Sequence, residues 1–312
     1  MTDKLVALTG ATGFIGARLR QRLIADGWQV RALSRRPADQ ADDGVTWYRG
    51  DLITGEGVEA LVDDADAVVH CAGTVSAATD AAFHQGNVEA TRTVVEATAR
   101  QDKRPRLIVL SSLAARYPGL SSYARSKRLA EDVVTTHAGN TPWTILRPTA
   151  VYGPGDRALV PIFRSLARGW LVVPGAWAAR ISLLHVDDLV NAIAVGLTAK
   201  GSPWGCFELD DGTDGGYTWW TIAASAEQAF ERRVRLLPIP ASMLYLAGAV
   251  NQGLARLLGY APTLTPGKVR ELRHDDWRCD YRPYRELTGW WPRLGLTDAM
   301  SRGLLGIEGN TD

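Results

Sequence analysis

The chain has 312 residues, 46% of them hydrophobic and 22% charged, and its formal net charge is +1. That apolar content builds a large buried core and excludes a disordered or fibrous protein. No block of basic residues stands out, so the electrostatic footprint of a nucleic-acid binder is missing and small-molecule partners are expected.

A strand-like run, Lys4 to Thr9, leads into Gly10-Ala11-Thr12-Gly13-Phe14-Ile15-Gly16. Gly10 suits a tight strand-to-helix turn, Gly13 lets backbone approach a pyrophosphate, and Gly16 lets helix and strand pack closely. From Phe14 to Asp26 the apolar residues Phe14, Ile15, Leu19, Leu23 and Ile24 keep helical spacing, and Gly27 supplies a stop. A helix N-terminus with free N–H groups is what a pyrophosphate requires, so Gly10, Thr12, Gly13, Phe14, Ile15 and Gly16 read as a dinucleotide clamp.

Further strand-like runs at Gln29 to Ser34, Ala67 to His70, Arg106 to Ser111 and Trp143 to Arg147 alternate with helical patterns. Those helices are read at Gly57 to Leu61, Asn87 to Arg100 and Tyr123 to Thr136. Alternation of this kind predicts an α/β fold with a doubly wound parallel sheet, the Rossmann arrangement. After Pro148, Gly and Pro clusters break the chain into short tryptophan-rich pieces. The expected organisation is a dinucleotide-binding domain over 1–155, rejoined by 185–200, and a smaller substrate-binding lobe over 156–312. Within that lobe Ala241 to Val250 is apolar but, at ten residues, too short to span a membrane. A core or interface helix is the default for it, with a lipid-facing surface as the alternative.

Tyr123 and Lys127, at i and i+4, share one helix face. A phenol with a pKa near ~10 is a poor acid or base at neutrality, but an adjacent ammonium favours phenolate. Lys127 supplies that ammonium and a donor for a cofactor ribose. Upstream, Val109-Leu110-Ser111-Ser112 ends a strand, the edge where doubly wound sheets place their sites. A hydroxyl there orients a substrate alcohol or carbonyl.

Together these segments resemble the extended short-chain dehydrogenase/reductase family, the NAD(P)-dependent epimerase/dehydratase group. Gly50-Asp51-Leu52, His70-Cys71-Ala72-Gly73, Asn87-Val88-Glu89-Ala90-Thr91, Arg147 to Gly155 and His185-Val186-Asp187-Asp188 resemble it in the same order. The resemblance implies hydride transfer at a secondary alcohol or ketone, with Ser112, Tyr123 and Lys127 as the catalytic set and Asn87 as a structural or proton-relay member. Ser111 is the competing serine. It also implies that Asp51 binds adenine and that Leu52, Cys71, Ala72, Gly73 and Pro148 line the cofactor. At the end of the second strand, where an NAD enzyme offers an acid to the ribose, this chain has Ser34-Arg35-Arg36. A guanidinium pairs bidentately with a 2′-phosphate, so NADP is expected in preference to NAD.

Substrates implied by the resemblance are nucleotide sugars, but the ten residues between Ser112 and Tyr123 are fewer than sugar-nucleotide members usually carry. A reductase of hydrophobic ketones or hydroxysteroid-like compounds is the first alternative, and a non-catalytic nucleotide-binding regulator the second. The five histidines lack ligand spacing, so no metal is expected. Cys71, Cys206 and Cys279 are odd in number and far apart, which fits a reducing cytoplasm rather than a disulfide framework. No signal peptide is read ahead of the first strand. A homodimer through the Asn87 and Tyr123 helices is possible.

Overall fold

In the computed structural model, which describes residues 4–36, 44–201 and 204–307, Leu5–Thr9 forms strand β1 and is buried from Val6 onward. Burial on both faces of a strand needs helices over both sides of a parallel sheet. The following elements supply them: α1 (Phe14–Ala25), β2 (Gln29–Ser34), β3 (Val45–Arg49), α2 (Val58–Val62), β4 (Ala67–His70) and α3 (Asp80–Phe83). A π-helical turn, His84–Glu89, leads into α4 (Ala90–Ala99), β5 (Arg106–Leu110), a 3-10 turn at Leu113–Arg116, α5 (Ser122–His137) and β6 (Trp143–Pro148).

The chain continues through β7 (Ala150–Tyr152), α6 (Val160–Ala167), β8 (Trp170–Val173), β9 (Arg180–Ile181), β10 (Leu183–His185) and α7 (Val186–Thr198). It ends with β11 (Gly205–Leu209), α8 (Trp219–Phe230), β12 (Arg235–Pro238), α9 (Ala241–Leu258), α10 (Pro266–Leu272), β13 (Asp276–Trp277), α11 (Arg282–Thr288) and α12 (Leu296–Ser301).

The main sheet has seven strands in the order β11-β6-β5-β4-β1-β2-β3, with parallel pairing from β3 through to β6. This is the doubly wound arrangement expected from the alternation of patterns. The sheet also contains β3, which no pattern in the sequence announces. Its Val-Thr-Trp-Tyr-Arg lies at the sheet edge and is nowhere fully buried, so its hydrophobic signal is weak. The helix read from Asn87 starts in the π turn instead, with regular helix only from Ala90.

Two compact units divide the chain: residues 1–147, 190–207 and 282–290, and residues 148–189, 208–281 and 291–312. In the first, Leu61, Val94, Val95 and Val134 from α2, α4 and α5 pack on Val68, Leu107, Val109 and Ile145 of the sheet. Each such side chain contributes about 1.5–3 kcal/mol, which fixes the helices against the strand ends that carry the site. The opposite side is held by Arg106, whose guanidinium donates to the Gly196 and Ala199 carbonyls. Tyr284 donates to the Ala192 carbonyl at 2.9 Å. The second unit has its own core around Tyr152, Phe163, Leu166, Trp219, Leu296 and Leu305.

Candidate active site

The strand order reverses between β1 and β4, and their carboxyl ends open a crevice there. Gly10 takes a left-handed φ of +71°, and a Cβ on it would stand 2.6 Å from the Ala72 amide nitrogen. A Cβ on Gly16 would fall 2.0 Å from the Gly10 carbonyl oxygen. Only glycine permits either approach, so the loop after β1 lies directly on the Cys71-Ala72 backbone after β4. Gly13 caps α1 in extended conformation with no side-chain hydrogen bond, and the first turn carries no acidic residue. The first-turn N–H groups therefore remain for an anion, and this cradle fits a dinucleotide pyrophosphate.

Behind the loop, Thr9 and His70 are paired across β1 and β4. The Thr9 hydroxyl lies 2.7 Å from His70 Nδ1 and accepts the Ala72 N–H at 3.3 Å. His70 Nε2 meets the Thr91 hydroxyl at 3.0 Å. Burial, reinforced by the nearby Lys127 charge, lowers the His70 pKa to about 3, so the ring is neutral. It then has one N–H for two hydroxyl partners, and one hydroxyl donates to it. His70 thus ties both strand ends to α4. The sequence showed it only as part of the His-Cys-Ala-Gly segment, because nothing local announces a partner 61 positions away.

Ser121 caps α5, accepting the Ala124 N–H at 2.9 Å. One turn in, Lys127 is buried and donates from Nζ to the Leu110 carbonyl at the end of β5, at 3.0 Å. Burial lowers its pKa to about 8, against the attraction of Cys71 and Glu131. Tyr123 is half-buried, its ring 6.2 Å from that of Phe83. A Cβ on Gly73 would stand 3.1 Å from Lys127 Nζ and 3.0 Å from Asn87 Oδ1, so the loop after β4 crosses close to both residues.

The two serines after β5 part company. Ser111 is buried and donates at 2.5 Å to Glu131, which also accepts the Arg147 guanidinium. Ser112 is half-exposed, and its hydroxyl accepts the Ala114 N–H at 3.2 Å at the start of the 3-10 turn that packs on α5. Asn87, in the π turn, donates to the Thr74 carbonyl and the Ser126 hydroxyl and accepts the Thr74 N–H at 2.7 Å. Ser126 in turn donates to the Tyr123 carbonyl. Insertion of a residue into a helix to make such a π turn is common at functional sites.

At the end of β2 the Ser34 hydroxyl bonds within its own turn to the Arg36 carbonyl, and the Arg35 and Arg36 side chains are exposed. Asp51 accepts the Ile53 N–H at 2.7 Å, so one carboxylate oxygen is engaged in an Asx turn. Leu52 packs on the sheet core. Pro148 is buried at the end of β6, and the second unit begins with it.

The family model described as NAD dependent epimerase/dehydratase matches residues 6–204, a span that contains the cradle, both serines, Tyr123 and Lys127. The chain belongs to that family. Its relatives include the ceramide reductase of Caulobacter vibrioides, 34% identical over 300 residues, covering 95% of this chain and 92% of the relative. The decarboxylating sterol-4-alpha-carboxylate 3-dehydrogenase of Saccharomyces cerevisiae is 23% identical over 354 residues, 97% of each. The Bacillus cereus UDP-glucuronic acid 4-epimerase in complex with UDP-glucuronic acid and NAD superposes with a TM-score of 0.71, covering 95% of this chain and 96% of that one. At 18% identity that likeness speaks for the fold. This epimerase/dehydratase-family protein is accordingly an enzyme of the extended short-chain dehydrogenase/reductase type.

In the second unit of this family member, the His185-Val186-Asp187-Asp188 segment makes a structural knot. His185 is buried, its Nε2 3.1 Å from the Leu304 carbonyl. Asp188 accepts the Arg293 and Leu294 N–H groups at 3.0 and 2.9 Å. Of the tryptophans, Trp219 is core, while Trp177 and Trp220 stack at 5.3 Å with exposed faces.

Proposed function

We propose that this protein is an NADPH-dependent reductase of a ketone on a long-chain or polycyclic lipid, working as a dehydrogenase of the secondary alcohol in reverse. The substrate class rests on the similarity to the ceramide reductase, which runs through 95% of this chain. The sterol dehydrogenase, at 97% coverage, supports it. Arg35 and Arg36, both exposed beside Ser34, favour the 2′-phosphate of NADP. No disulfide joins Cys71, Cys206 and Cys279, which is consistent with work in the cytoplasm.

Gly10, Thr12, Gly13, Phe14, Ile15 and Gly16 would hold the pyrophosphate, Asp51 and Leu52 the adenine, and Cys71, Ala72, Gly73 and Pro148 would line the remainder. The nicotinamide, when bound, supplies the hydride to the carbonyl carbon. Tyr123 carries the proton that goes to the carbonyl oxygen. Lys127, still largely an ammonium below about pH 8, favours the phenolate left behind. Ser112 donates to the same oxygen. Asn87 keeps the Tyr123 backbone in place through Ser126.

The test is NADPH oxidation by the purified protein with the ketone form of a ceramide, a 3-oxosteroid and UDP-glucose, together with identification of any nucleotide released on denaturation. Turnover with a lipid ketone from a readily exchanged NADPH supports the reading. Tightly retained NAD, with turnover only of the sugar nucleotide, overturns it in favour of an epimerase.

A further inference from the structure

Lys127 and Glu131 are both buried and stand one turn apart on α5, so they share one helix face. The end of β5 grips the two at neighbouring positions. Lys127 Nζ donates to the Leu110 carbonyl at 3.0 Å, and the hydroxyl of the next residue, Ser111, donates to Glu131 Oε1 at 2.5 Å. The Ser111 N–H in turn donates to the Leu146 carbonyl at 2.8 Å, which brings Arg147 of β6 alongside. Its Nε donates to Glu131 Oε1 at 2.8 Å and its Nη2 to Oε2 at 2.5 Å. Both carboxylate oxygens are thus held in the forked geometry that a guanidinium and a carboxylate share. Apolar side chains staple strands to a helix at least as well as a buried ion pair does. What they do not supply is a negative charge one turn from Lys127.

A buried ammonium loses its proton readily unless an anion faces it. From β4, His70 and Cys71 face Lys127. Burial lowers the His70 pKa to about 3 and raises that of the Cys71 thiol to about 12, so both are uncharged near neutrality. β5 brings the Leu110 carbonyl, a dipole without net charge, and the π turn brings the Asn87 amide. On α5 itself Tyr123 lies one turn before Lys127 and Glu131 one turn after. Arg147 of β6 is bound to Glu131. Among the described residues, Glu131 is therefore the carboxylate whose attraction reaches the Lys127 ammonium.

We propose that Glu131 is a positioning residue for the reaction: its carboxylate, clamped by Ser111 and Arg147, is the countercharge that keeps buried Lys127 an ammonium on the face it shares with Tyr123. The benefit to turnover rests on the role proposed above for Lys127, but the charge itself is readable without substrate.

The chain has five lysines, so carbon-13 labelling at lysine Cε lets each ammonium of the full chain be followed through a pH titration, with Lys127→Arg identifying the resonance. Wild-type Lys127 should titrate near pH 8. Glu131→Gln removes the negative charge and so disfavours the ammonium; the midpoint should fall by about one pH unit, and the alkaline limb of kcat/KM with it. At pH 8 the charged fraction then drops from about half to about a tenth. Ser111→Ala takes a hydrogen bond from Glu131 and leaves its charge, so it should cost stability without moving the midpoint. A wild-type midpoint in Glu131→Gln overturns the inference. So does a shift in Ser111→Ala as large as that in Glu131→Gln, because packing rather than charge is then the cause. Should Glu131→Gln fail to fold with Arg147 left unpaired, the double variant Glu131→Gln with Arg147→Gln removes both charges and should show the same downward shift; a midpoint equal to wild type again overturns the inference. If the Lys127 midpoint moves while the kcat/KM limb stays, the countercharge stands and the role proposed for Lys127 in turnover falls.

Discussion

Replacing each of the two adjacent serines by alanine should produce opposite phenotypes. Ser111 Oγ is buried and gives its hydrogen to Glu131 at 2.5 Å. A hydrogen bond to a charged group contributes about 1.5–3 kcal/mol, and Glu131 keeps Arg147 in the variant, at 2.8 Å from Nε. Ser111→Ala should therefore cost stability near the lower end of that range. For a chain of this size, each kcal/mol is about 2–4 °C, so the melting temperature should fall by roughly 3–6 °C with kcat little changed. Ser112 caps only a short turn through the Ala114 N–H at 3.2 Å, so its loss should cost about 0.5–1 kcal/mol. In the proposed role of donor to the developing oxyanion, though, its removal should lower kcat by about 10²- to 10³-fold. Thermal denaturation and steady-state NADPH oxidation on the two variants measure both quantities. If Ser111→Ala proves the inactive, stable variant and Ser112→Ala the active, less stable one, the assignment is wrong.

Tyr123→Phe should leave NADPH affinity intact and reduce turnover by orders of magnitude; undiminished turnover removes Tyr123 from the chemistry. Because burial lowers the Lys127 pKa to about 8, the ammonium is present below that pH and lost as pH rises through it. Reductase kcat/KM should then decline on the alkaline side of about pH 8, and a profile that keeps rising there contradicts the role given to Lys127. Gly16→Ala would place a Cβ 2.0 Å from the Gly10 carbonyl oxygen, so it should weaken NADPH binding by more than about tenfold, since helix and loop must separate. Calorimetric affinity equal to wild type refutes the packing argument. Arg35→Glu should lower affinity for NADPH relative to NADH, and an unchanged ratio means that Arg35 does not read the 2′-phosphate.

The doubly wound sheet and the glycine turn between β1 and α1 were legible in sequence because their signals are local. Glycine spacing sits between a run of strand period and a run of helix period, and Tyr123 and Lys127 are one helical turn apart whatever surrounds them. Strand β3 was missed for the converse reason: an edge strand with half-polar burial carries little periodicity.

Tertiary structure alone decided what depends on residues distant in the chain. Adjacent serines at a strand end point to opposite faces, and which face is core was fixed by the Glu131–Arg147 pair beneath Ser111. The lowered Lys127 pKa comes from burial against the Leu110 carbonyl, which i to i+4 spacing does not contain. The apolar run at Ala241 to Val250 has the same composition whether it faces a core or solvent. Its outward face follows from the close approach of α10 at Gly248, a contact between segments that share no sequence pattern.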